Sequence, residues 1–240
     1  MIELQTAWGW QVALYLFLGG LGAGTFIAAT LLGFVRRKRH RRALAASYWI
    51  AVACISEVVH PGRALLMWQS FSHLASWMAL GAWAALAALV VFSVTAFLTT
   101  RNTSELLSGV WEEHPGLRKR LRTVFSLVGL VLAFFMALYT GMLLKAAPGI
   151  PFWNSWLLPC LFVASALGAG LNVVASLAVL TGSARKVSRT RRRLFAGIVI
   201  GVVAVESALL FFYLANMLQG GSGAQPSQQF AAQVSAELLL

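Results

Sequence analysis

An all-α integral membrane protein, an up-and-down bundle of transmembrane helices, is the fold class this sequence predicts, and three observations predict it. The 240 residues are 59% hydrophobic and only 11% charged, where a soluble domain carries about 25% charge. The apolar residues fall in runs of about 20 or more, the length that crosses a bilayer as a helix. All but two of the 19 Lys and Arg residues sit in three clusters between those runs: Arg36 to Arg42, Arg101 with Arg118 to Arg122, and Arg185 to Arg193. The two outside them are Arg63 and Lys145.

Six complete spans follow in order. The first runs from Trp8 to Val35, where the first basic cluster ends it. The second runs from Ala43 to His60 and stops at Pro61 and Gly62, because proline cannot continue a helix. The third covers Leu74 to Leu98 and the fourth Thr123 to Leu144, with a basic connection between them. The fifth runs from Trp153 to Leu180, and the sixth from Leu194, just past the last basic cluster, to Leu218.

Loops rich in Lys and Arg mark the cytoplasmic side. The connections between spans 1 and 2, 3 and 4, and 5 and 6 are the basic ones, so the N-terminus is expected outside. The setting expected is a bacterial inner (cytoplasmic) membrane, crossed several times. Trp8, Trp10, Trp68, Trp77, Trp153 and Trp156 fall near the outer ends, as an interfacial aromatic belt requires. The net charge of +12 then faces anionic headgroups and is not a nucleic-acid surface. The start, Met1 to Ala7, lacks the basic stretch of a cleavable signal, so the first span is expected to remain. Cys54 and Cys160 lie in separate spans without Cys-x-x-Cys spacing, which points to neither an iron–sulfur site nor a disulfide framework.

An internal repeat is visible. Trp10 is followed eleven residues on by Leu21-Gly22-Ala23-Gly24, and Trp156 eleven residues on by Leu167-Gly168-Ala169-Gly170. Spans 2 and 6 then each carry one carboxylate, Glu57 and Glu206, both roughly 20 Å from the basic end at 1.5 Å per residue. A parallel repeat of this kind occurs in membrane proteins, and a common packing string recurring by coincidence is the other reading. On the repeat reading, residues 1–145 form a first four-helix bundle and 146–240 a second, incomplete one. The chain stops at Leu240, about ten residues into what would be a seventh span, and is expected to be truncated or to have lost its last two helices.

The glycines of spans 1 and 5 read as helix-packing positions. Chemistry is sought among the ionisable groups inside spans, where they are costly and mark function by default. Glu57, His60 and Arg63 place an acid, an imidazole and a fixed cation at the outer edge of the membrane; pairing that only pins the loop is the alternative. Tyr139 lies roughly 9 Å below the outer end of its helix and can donate a hydrogen bond to a carbonyl, or simply pack. Trp10 and Gln11 line the same depth, and the segment from Pro148 to Asn154, with two prolines, can cap a pocket. Glu206 reads either as a proton-relay residue, with Asn172 on the same path, or as an interhelical hydrogen-bonding group.

A lipid-soluble carrier that gains and loses protons fits this set, and quinols are the obvious class. Two oxygens need hydrogen-bond partners, and a carboxylate or imidazole must pass protons. Haem is disfavoured, because His40 and His114 lie in inner loops and only His60 and His73 share a depth. No metal-ligand spacing appears. A secondary transporter or proton-conducting protein, using Glu57 and Glu206, is a reading from another class. So is a pure membrane anchor without a site.

The stretch from Trp8 to Gly24 resembles the opening helix of the NrfD-like, polysulfide-reductase-type membrane anchors. The stretch from Tyr139 to Asn154 resembles a second signature of that family, and the acid and Gly-Arg turn at Glu57 to Arg63 a third. The resemblance spans residues 8 to 218. It implies a haem-free, metal-free subunit that exchanges electrons between the quinone pool, menaquinone here, and a ferredoxin-like iron–sulfur subunit. That partner in turn serves a molybdopterin enzyme or a multihaem cytochrome. It further implies a quinone site near the outer face on the first four helices. Glu57, His60 and Tyr139 would handle protons or contact the quinone, and Trp10, Gln11 and Arg63 would line the site. Family members usually have eight or more helices. The turn here reads His-Pro-Gly-Arg, where the family more often has Leu-Gly-Arg-Pro.

Overall fold

The structure is a computed structural model, and it describes residues 10–36, 44–50, 77–99, 109, 114–146, 153–182, 185 and 187–218. Five long helices make up this part: α1 Trp10–Arg36, α2 Trp77–Thr99, α3 Pro115–Lys145, α4 Leu157–Leu180 and α5 Arg189–Leu218. Each is long and apolar enough to span a bilayer. Residues 44–50, at the start of the expected second span, are helical as well. The rest of that span lies outside the described residues. No strand occurs among the described residues, as an all-α bundle requires: in lipid every backbone N–H must be satisfied within its own helix.

The helix starts differ from the expected ones in a consistent way. α3 begins at Pro115, not Thr123, and α5 at Arg189, not Leu194. Both helices extend through their basic clusters. Arg and Lys are good helix formers, and Pro115 in the first turn has the backbone angle a helix start needs. The cationic residues therefore stand on helix ends, not in loops. α4 begins at Leu157, four residues later than expected, because residues 153–156 form a tight turn.

Apolar side chains gain nothing by leaving lipid for protein, so close packing holds such a bundle together. α1 is central, packed against both α3 and α4, while α2 packs on α3 and α5 on α4. Phe26 of α1 is fully buried. Its ring stacks on Phe92 of α2, with centroids 4.1 Å apart and planes within 8°, and seats on Gly129 of α3. The buried hydroxyls of Thr25, Thr95, Thr99 and Thr140 return hydrogen bonds to carbonyls of their own helices, at 2.6–2.9 Å, which removes the cost of placing them in an apolar interior.

The repeated strings touch each other. Gly20 faces Ala166; one turn on, Gly24 meets the Ala166 backbone, and Gly170 meets the backbone of Gly24 and Thr25. Contacts advance together along both helices, so α1 and α4 cross in parallel. Small residues let the two backbones approach where any Cβ would collide. α5 is peripheral: from Arg189 to Phe212 none of its residues is buried. Its far end is fixed by Tyr213 and Met217, which pack against Leu158.

Candidate functional site

The end of the bundle remote from the basic clusters is built by the α3–α4 connection. Gly141 of α3 packs on the backbone of Pro159 in the first turn of α4, where a proline costs no hydrogen bond. Buried Ser155 organises the turn. Its N–H donates to the Trp153 carbonyl at 2.8 Å, and its hydroxyl oxygen accepts from the Leu157 N–H at 3.3 Å. The Lys145 ammonium, in the last turn of α3, lies 3.7 Å from the centre of the Trp156 ring, a cation–π contact.

Tyr139 stands one and a half turns before Lys145 and is only 3% exposed. Its ring lies against Gly81, in the second turn of α2: a Cβ there would overlap Cζ, Oη and Cε1 of the tyrosine. Phe135, one turn earlier on α3, flanks it with ring centroids 6.1 Å apart. Among the described residues none is hydrogen-bonded to the Tyr139 hydroxyl. The phenol is thus an orientationally fixed donor with its proton uncommitted, within a wall of apolar and aromatic groups.

The other sequence-derived candidates fall in three groups. Glu57, His60 and Arg63 lie outside the described residues. Trp10 and Gln11 open α1, with only their backbone described. Glu206 and Asn172 lie on α5 and α4. The half-buried Glu206 carboxylate faces α4 over Gly168, where a Cβ would stand 3.4 Å from Oε2. Asn172, on the exposed side of α4, donates from Nδ2 to the Gly168 carbonyl at 2.9 Å, a bond within its own helix. Both residues therefore flank Gly168, a glycine that reads from sequence as a helix-packing position. It makes room for a carboxylate. Gly81 is not among the expected site residues. It lies in an Ala-rich helix with no pattern to mark it, and only the tyrosine opposite gives it meaning.

A bundle of membrane-spanning helices with its polar groups gathered beneath one end, and cations gathered at the other, defines a multi-pass membrane protein with a site inside the bilayer. Comparison with known proteins makes the class specific. The profile of the polysulphide reductase NrfD family matches residues 3–236. The sequence is 30% identical to the membrane-subunit component C of polysulfide reductase from Wolinella succinogenes, over 91% of its own length and 73% of that protein's. It is 26% identical to protein NrfD of Escherichia coli over 90% of its length and 73% of that protein's. No solved structure matches it. The chain belongs to the NrfD polysulphide reductase family and is, at that level, a membrane subunit of an oxidoreductase complex.

Proposed function

We propose that this chain is the quinone-reacting membrane subunit of a respiratory complex. It exchanges electrons between the quinone pool, menaquinone for preference, and an iron–sulfur partner docked at the outer face. The partner passes them to a catalytic subunit of molybdopterin or multihaem type. The observation that carries this reading is Tyr139: a buried phenol, held in place from two sides, whose hydroxyl no described residue claims. Such a donor suits the carbonyl oxygen of a quinone headgroup arriving from the lipid. Family membership supplies the oxidoreductase context.

In this reading a quinol gives up two electrons to the partner and two protons to the outer side. Tyr139 orients one headgroup oxygen. Glu57, with His60 beside it, accepts a proton from the other; Trp10, Gln11 and Arg63 complete the wall. The site falls within residues 1–145, and 146–240 forms the second bundle. Any proton movement across the membrane is assigned to Glu206 and Asn172.

Tyr139→Phe, which removes only the hydroxyl, should lower kcat/KM for quinone-linked turnover of the assembled complex by at least about tenfold. Glu57→Gln should abolish that turnover, since a positioned acid or base contributes about 10²–10⁴-fold. Reduction of the catalytic subunit by an artificial dye should stay intact in both. Unchanged quinone-linked turnover in both variants would overturn the reading and leave a plain anchor.

A further inference from the structure

We infer that Gly81 of α2 is the positioning residue for the Tyr139 hydroxyl, so that α2 sets the geometry of the proposed quinone contact without touching the quinone. The inference rests on the quinone reading of Tyr139 and adds to it a residue on a different helix.

The argument begins with the phenol's freedom of movement. Tyr139 projects from α3 toward α2, and three of its atoms, Cζ, Oη and Cε1, occupy the space a side chain at position 81 would need. Gly81 is itself buried. Next to it on the same helix, Ala84 and Ala85 are partly buried against the core and Ala88 is buried within it. A small-residue face brings the two helices close, and at Gly81 the face is hollowed by one further methyl. The phenol fills that hollow. Phe135 closes its flank, so the ring cannot slide along α3 to escape a substituent at position 81. The one direction left is away from α2, which carries the hydroxyl off its position.

The consequence is quantitative. Any Cβ at position 81 falls far inside van der Waals distance of the ring, and relief takes a shift of about 1 Å. A displacement of that size at a reacting or orienting group costs on the order of 10²-fold in rate. The hydroxyl is preserved in such a variant, and only its position changes. Gly129 offers a matched comparison. It lies between the same two helices and is as tightly filled, by Phe26 and Val91, but none of its neighbours is Tyr139.

The test uses the assembled complex in membranes. Gly81→Ala should reduce kcat/KM for a soluble quinol analogue by at least tenfold, with dye-linked activity and the amount of assembled complex unchanged. Gly129→Ala should leave kcat/KM within about twofold. In a double-mutant cycle, Gly81→Ala placed on Tyr139→Phe should add no further loss, because the hydroxyl it displaces is already gone. Full additivity overturns the inference, as does normal turnover in Gly81→Ala while Tyr139→Phe is impaired. If Tyr139→Phe is itself normal, the quinone reading of the tyrosine fails first, independently of Gly81. Should Gly81→Ala fail to accumulate, Gly81→Ala with Tyr139→Leu should restore accumulation by removing the colliding atoms. Failure of that rescue also overturns the assignment.

Discussion

Gly24 of α1 and Gly170 of α4, the closing glycines of the two Leu-Gly-Ala-Gly strings, meet backbone to backbone at the centre of the bundle. The equivalent positions of a sequence repeat are each other's neighbours. A two-fold relation between two parallel helices produces this, since residues on the axis must face their own counterparts. It also explains why both positions are glycine: there is no room on either side for even one methyl.

Gly170→Ala should therefore destabilise the protein by about 1–3 kcal/mol, the usual cost of forcing atoms into a filled interior. A lowered melting temperature of the detergent-purified protein would register it. Gly197→Ala on α5 is the contrast. Nothing lies within 4 Å of a Cβ at that position, and alanine is the better helix former by about 1 kcal/mol. Its melting temperature should be unchanged or higher. Equal losses in the two variants would argue against the close crossing of α1 and α4.

The bundle is legible in the sequence because its signals are of the kind lipid enforces: long apolar runs, and cations confined between them. The pairing of α1 with α4 is half visible in the repeat of Leu21 to Gly24 at Leu167 to Gly170, although similarity between two strings does not say that they touch. The starts expected at Thr123 and Leu194 fall too late, because a cationic cluster reads as loop although Arg and Lys extend a helix readily beyond the apolar layer. Tyr139 is legible as a polar tip in a span. Gly81 is not, since a glycine among alanines acquires a role only through the side chain opposite. Gly168 reads as packing, and its partner is a carboxylate. Which atoms meet across helices is a property of rotation about each helix axis, and an apolar run on all sides carries little information about that angle.

Phe26→Ala should be among the most damaging single changes in the bundle. The ring is fully buried, stacks on Phe92 and fills the space left by Gly129. Its removal opens a cavity bounded by three helices, and a buried Phe→Ala change costs about 3–5 kcal/mol. Thermal unfolding in detergent, with Phe17→Ala as the exposed comparison, should separate the two clearly. Phe17→Ala is expected to unfold close to the wild-type temperature.

Glu206→Gln separates a proton-handling role from a packing role. The amide has nearly the volume of the acid, and no described residue is hydrogen-bonded to the carboxylate, so folding and complex assembly should be unchanged. If Glu206 relays protons, the variant should move fewer protons per electron pair while quinone-linked turnover continues. A pH electrode with the complex in sealed vesicles measures the ratio. An unchanged ratio would remove Glu206 and Asn172 from any proton path and leave them as occupants of the seam between α4 and α5.

The orientation of the chain decides which compartment receives quinol protons, and two exposed connections test it. Asn154 lies exposed in the turn between α3 and α4, near Lys145 and Trp156; Arg185 lies exposed between α4 and α5, at the edge of a basic cluster. The excess of Lys and Arg at the second connection places it in the cytoplasm. With Cys54 and Cys160 replaced by Ser, Asn154→Cys should react with a membrane-impermeant maleimide on intact spheroplasts. Arg185→Cys should react only after the membrane is opened. The reverse pattern would turn the bundle over. Tyr139 shares the Asn154 end of α3, so the inverted pattern would put the proposed quinone site near the cytoplasmic face, releasing protons there and requiring the iron–sulfur partner on that side.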